Sequence, residues 1–171
     1  KLLHKRARQR LVVHTKDHRT ACGVCFALNV EDVGFYLEIC AQTGEPIGKR
    51  EYFRFDQLKA LYYVRSFDGR HDRRQHHTEF HPQGSDVVVE FEDGEILRGS
   101  TYHVYRPEEA RFAVIPKDPD TNNISILVES SAVRKVYTPE EYDRKVQDDL
   151  DEYVRQHQET GLSREELSGD F

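Results

Sequence analysis

The chain has 171 residues, 37% of them hydrophobic and 33% charged, with a net charge of −6 at pH 7. That is room for one ordinary domain or two small ones, with modest cores under a heavily charged surface. No apolar run approaches the roughly 20 residues of a membrane-spanning helix, and the first ten residues lack a signal peptide's apolar segment, so the sequence reads as cytoplasmic and without membrane insertion.

Three cysteines, an odd number on otherwise apolar strands, fit a reducing compartment. The chain has no initiator methionine and stops just after a fresh helix-start signal at Ser163 to Glu166, which predicts a piece of a larger protein.

In chain order, a basic arm with Lys5, Arg6, Arg8 and Arg10 feeds strands predicted at residues 11–15, 21–28, 35–41, 50–55 and 58–64, with a turn-rich loop at 43–48. Residues 65–85 are polar and punctuated by Asp68-Gly69 and Pro82-Gln-Gly84, as a linker would be. A complete small β-unit follows. Val87, Val89 and Phe91 alternate with Glu90 and Glu92 at the period of a half-buried strand, and Asp93-Gly94 supplies a tight hairpin turn that sets Ile96 opposite Phe91. Gly99 marks a bend, read as a barrel corner. Strands around Tyr102 and Val104, at 112–115, at 124–128 and at 133–136 complete about five short strands in some fifty residues, which suits a small closed sheet.

The plan occurs twice. A slide of 76 positions places Val12 on Val88, Val13 on Val89, Asp17 on Asp93, Gly23 on Gly99, Tyr36 on Phe112 and Ile39 on Ile115. A one-residue adjustment then places Leu58 on Val133, Leu61 on Val136 and Tyr62 on Tyr137. His18 stands where Gly94 stands, and histidine tolerates positive φ better than most residues. After the second unit the period becomes helical. Thr138 is an N-cap, Pro139 takes the first helical position and Glu141 completes a capping box. Tyr142, Val146, Leu150, Tyr153, Val154 and His157 share one face, and Gly161 supplies a stop. The expectation is an acidic helix over 139–160 that packs on the second unit or bridges to a following domain.

Reactive chemistry finds few candidates. Cys22-Gly-Val-Cys25 has knuckle spacing, but a structural zinc wants four ligands and no second pair exists, so these read as structural cysteines. His71, His76, His77, Glu79 and His81 cluster in the linker, and His77 with His81 would share a helix face as metal ligands. Neither a nucleophile elbow nor a phosphate-cradling glycine loop is present. The reading is a non-enzymatic module without a cofactor.

Two resemblances add to this. Arg6 and Arg10, in Arg-x-x-x-Arg spacing, with Asn29-Val-Glu31-Asp-Val-Gly34 downstream, resemble the phosphate-binding elements of PilZ domains, the cyclic di-guanylate sensors. The departure is Glu31 where that family has serine, a carboxylate that would repel a bound phosphate. Phe55 to Gly69, Phe91 to Gly99, Ile115 to Asn123 and Ser131 to Val136 together resemble an uncharacterised bacterial family of tandem Sm-like, SH3-like small β-barrels. That resemblance implies a mainly β fold with two Sm-like barrels and a C-terminal α-helix, divided as 1–64, linker 65–85, 86–137 and 138–171. It implies no catalytic residues.

The function expected is a protein-binding, regulatory platform within a larger bacterial cytoplasmic protein, whose partner is another protein or a neighbouring domain. Arg65, Arg70, Arg73 and Arg74 on the linker side and Tyr102, Tyr105 and Arg106 beside Pro107 are its candidate surface. The alternative is a cyclic di-guanylate sensor using Arg6, Arg10, Asn29 and Gly34. An RNA-binding reading, through Tyr62, Tyr63 and the linker arginines, ranks last because Glu90, Glu92 and Glu95 would repel a polyanion.

Overall fold

The computed structural model describes residues 9–68, 84–118 and 120–159. It divides into two compact units, Lys1–Val136 and Tyr137–Phe171.

The first unit is built on alternation. In β1 (Gln9–Thr15), Leu11, Val13 and Thr15 are buried while the residues between them are half-buried. β2 (Thr20–Cys25), β3 (Gly34–Cys40), β4 (Pro46–Arg54) and β5 (Leu58–Val64) follow, with a single 3-10 turn at Phe55–Gln57 between the last two. The second half repeats them as β6 (Asp86–Phe91), β7 (Ile96–Thr101), β8 (Arg111–Pro116), β9 (Asn123–Glu129), a 3-10 turn at Ser130–Ala132 and β10 (Val133–Tyr137).

The repetition extends to single hydrogen bonds. The Thr15 amide donates to the Arg19 carbonyl as Phe91 does to Glu95, both at 2.9 Å, and Lys16 donates to Gln57 as Glu92 does to Ala132, again both at 2.9 Å. His18 adopts φ 68° where Gly94 adopts φ 92°. The expected register is corrected by one residue: Ile96 lies opposite Glu90, not Phe91, because the loop takes three residues, 92–94, with Gly94 alone at positive φ. Gly23 and Gly99 sit where strands crowd. A Cβ on Gly23 would lie 2.3 Å from the Glu38 carbonyl oxygen, and one on Gly99 would lie 2.2 Å from that of Ile115.

The sequence alignment slips in one place. Phe35 and Leu37 are buried in β3 as Phe112 and Val114 are in β8, an offset of 77, whereas Tyr36 faces solvent. A slip of one residue exchanges the two faces of a strand, so Tyr36 belongs to the outer surface and not to the core. No strand forms at Tyr102 and Val104 either. The chain leaves the sheet after Thr101, whose hydroxyl bonds the His103 carbonyl and so competes with the ladder.

The ten strands form one continuous sheet in the order β10-β6-β7-β8-β9-β5-β1-β2-β3-β4. Within each half the order is the same: fifth, first, second, third, fourth. The expectation of two closed barrels is corrected here, because the sheet does not close; among the described residues β4 and β10 each have one neighbour, and the halves are joined by antiparallel pairing of β5 with β9. Two cores result. Leu11, Val13, Leu37, Phe53, Phe55 and Leu61 form one with Leu127 of β9; Val87, Val89, Phe91, Phe112, Val114 and Val128 form the other with Ala60 of β5. The two junction strands therefore feed both cores, one from each face, and carry consecutive apolar residues, 60–64 in β5 and 126–128 in β9, rather than strictly alternating ones.

The second unit is α1 (Pro139–Glu159). Its capping box forms as expected: the Glu141 amide donates to Thr138 Oγ1 at 3.1 Å and the Thr138 amide to Glu141 Oε2 at 3.2 Å. No described helix is long and apolar enough to cross a membrane. Cys25 and Cys40 are buried, Cys22 is half-buried, and all three are free thiols.

Candidate functional site

Where the halves meet, the surface opens into a groove of about 380 Å³. Tyr63 of β5 and Ser125 and Leu127 of β9 line it, together with Phe112 of β8, and the loop after β7 supplies Tyr102, His103, Val104 and Tyr105. Val30 reaches it from the first half, in the loop between β2 and β3. The site is thus assembled from both halves and exists only because β5 pairs with β9.

Arg111 holds the walls in place. Its Nε donates to Glu129 at 2.9 Å, its Nη1 donates to the Val30 carbonyl at 2.7 Å, and its guanidinium lies 4.5 Å from the Phe55 ring centroid. One cation therefore ties the second half's sheet to a loop and a core aromatic of the first. Ser130 fastens the far loop: its hydroxyl donates to the Glu109 carbonyl at 2.6 Å and its amide to that of Ala110 at 2.9 Å. Tyr105 stands edge-on to Phe112 with ring centroids 4.9 Å apart. Val104, at 68% exposed, has no comparable cover, and Val30 is 37% exposed.

Burial raises the pKa of the Tyr63 phenol to about 12, and pushes those of Tyr102 and Tyr105 upward, Glu108 and Glu109 adding to the effect at Tyr105. At neutral pH all three remain protonated, offering an apolar ring with a hydroxyl that both donates and accepts. Among the described residues no group of three His, Cys, Asp or Glu side chains is placed to hold a metal.

A second cluster locks the junction from another side. Lys59, in the apolar run of β5, reaches the β6–β7 turn, where its Nζ lies 2.7 Å from Asp93, bonds Glu95 and sits 4.7 Å from the Phe91 ring centroid. Burial opposes its charge, yet the two carboxylates outweigh this and leave its pKa raised. Beside it His14 packs on Tyr62 at 4.6 Å; burial lowers the His14 pKa and raises that of Tyr62 to about 12.

Of the residues singled out in the sequence, Tyr102 and Tyr105 line the groove, and the Arg106 side chain is exposed on the same loop. Arg65 lies elsewhere, its Nη1 donating to the Thr121 carbonyl at 2.6 Å, and it accepts at its own carbonyl from Arg10 Nη1 at 2.8 Å. Asn29 Oδ1 accepts from the Glu31 amide at 3.0 Å, closing a local turn, and a Cβ on Gly34 would meet the Phe53 carbonyl at 2.2 Å. Arg6, Arg70, Arg73, Arg74, His77 and His81 lie outside the described residues. Sequence reasoning missed Arg111 and Lys59. A lone charge inside the run Leu58-Lys-Ala-Leu61 signals Lys59; nothing local signals Arg111.

Residues 7–138, most of the chain, match a family of unknown function, DUF6982. No curated protein and no solved structure matches the chain.

Proposed function

The chain belongs to the DUF6982 family, which carries no assigned activity, and we propose on the chain's own geometry that it is a non-enzymatic protein-interaction module. The observation that carries this reading is the junction groove, where the exposed Val104 and Val30 face tyrosine rings that retain their hydroxyl protons. Such a surface suits an apolar side chain on an extended segment of a partner protein, with the phenols bonding the partner's backbone. Each half is read as a small Sm-like module of a larger bacterial cytoplasmic protein. The shared strand order and the matching 3-10 turn before each fifth strand support this.

The test places a photo-crosslinking residue at Val104 and, as a control, at Asp120, in cells. A partner captured from Val104 alone is then purified and titrated against the protein, and Val104→Asp is expected to weaken binding by roughly tenfold or more. Equal capture from both positions, or unchanged affinity of Val104→Asp, overturns the reading. The same preparation titrated with cyclic di-guanylate is expected to give no saturable binding; saturation that Arg10→Ala abolishes would replace this proposal with the sensor.

A further inference from the structure

We propose that β4 is the contact through which two copies of this chain pair, edge to edge and antiparallel about a two-fold axis at Arg50. The argument begins with the repeat. β9 occupies in its half the place of β4 and is covered by β5, which buries Leu127. Its counterpart Tyr52 is 46% exposed, and Ile47 of the same strand is 58% exposed. The other end of the sheet is blunted. β10 has only five residues, carries Arg134 and Lys135, and is followed at once by Thr138 and Pro139, which has no amide to donate. β4 also opens on a proline, Pro46, and Gly48 within it takes φ 74°, but beyond them residues 49–54 run as an edge that pairs among the described residues with β3 alone.

The backbone limits which registers a pair can adopt. The Phe55 amide donates to the Val33 carbonyl at 3.0 Å, so alternation along the β3–β4 ladder turns Glu51 and Phe53 toward β3 and Arg50, Tyr52 and Arg54 outward. A symmetric pair must therefore centre on one of those residues or lie opposite two of like parity. Centring on Glu51 sets that carboxylate against itself, and centring on Tyr52 sets Arg50 against Arg54. Centring on Arg50 sets Lys49 of each copy opposite Glu51 of the other, adding a second cation to a carboxylate that Arg19 of its own chain already pairs, and sets Tyr52 opposite Gly48, beside which the chain leaves open space. Each Arg50 guanidinium is drawn onto its own Tyr36, 5.2 Å from the ring centroid, which turns it toward the ring of its own chain.

Native mass spectrometry and sedimentation of the full chain at about 50 μM are expected to show a dimer. Lys49→Glu and Glu51→Lys should each weaken it by roughly tenfold or more, since each puts like charges opposite one another twice. Mixing the two variants restores both attractive pairs and the dimer, and this recovery separates lost pairing from lost folding. A monomeric wild type, a dimer that ignores both variants, or a mixture that fails to recover overturns the proposal.

Discussion

β9 and β4 hold the same place in the two halves of the sheet, yet one is an interior strand and the other an edge. Leu127 of β9 is 9% exposed and packs into the core of the opposite half, while Tyr52 of β4 is 46% exposed. Likewise Lys59 and Arg134 stand at matching positions. Lys59 crosses to the turn of the other half, whereas Arg134 stays within its own, 3.7 Å from Glu90 and 3.6 Å from Glu92. The comparison teaches that the burial of a repeated strand is set by what lies beside it, and that the halves are joined through residues such as Leu127 and Lys59 whose counterparts, among the described residues, make no contact with the other half.

The largest break in that comparison is expected at the shared strand. Leu127→Ala removes a side chain from the first half's core and should cost roughly 2–4 kcal/mol in urea unfolding, against less than about 1 kcal/mol for Tyr52→Ala. Equal losses would mean that β9 and β4 are equally buried and would remove the distinction between junction and edge.

A smaller difference should separate the two cations. Lys59→Met leaves Asp93 and Glu95 without their shared partner and is expected to cost about 1–2 kcal/mol, while Arg134→Met, at a half-exposed site, should change stability by less than about 0.5 kcal/mol. Hydrogen exchange of the β6–β7 turn locates the effect: it should speed up in Lys59→Met and stay unchanged in Arg134→Met.

The smallest effect is a titration at His14, in the first half. Burial, with Lys59 acting in the same direction and Glu95 against it, lowers the His14 pKa below its ordinary 6.5. The unfolded chain therefore binds a proton at His14 before the folded chain does, so this contribution is present above pH 6.5 and is lost as pH falls toward the folded value. Thermal melts between pH 7 and pH 5 should show wild type losing more stability than His14→Gln. Parallel curves would assign the acid sensitivity to other groups.

What could be read along the chain was what depends on near neighbours. Asp93-Gly94 announced a turn, although only Gly94 takes positive φ and the loop spans three residues rather than two, and the capping box of α1 was visible because its partners lie three residues apart. The repeat was legible too, since strand, turn and glycine recur in order, although the offset changed by one at β3 and β8 and set Tyr36 on the wrong face. Tyr102 and Tyr105 could be named as surface residues from the proline beside them. That they line one groove with Val30 and Tyr63 could not.

The sequence by itself determined one helix, the duplication, the local turns and the places of the ten strands, because each is a matter of side-chain period and backbone preference over a few residues, while adding a strand at Tyr102 and Val104 that does not form. Only the tertiary structure decided that β5 pairs with β9, opening the expected barrels into one sheet, and that Arg111 and Lys59 bridge the halves. The physical reason is that every strand edge offers the same amides and carbonyls. Which edge meets which is settled by the burial gained on both faces at once, here by Ala60 and Leu127 each entering the other half's core.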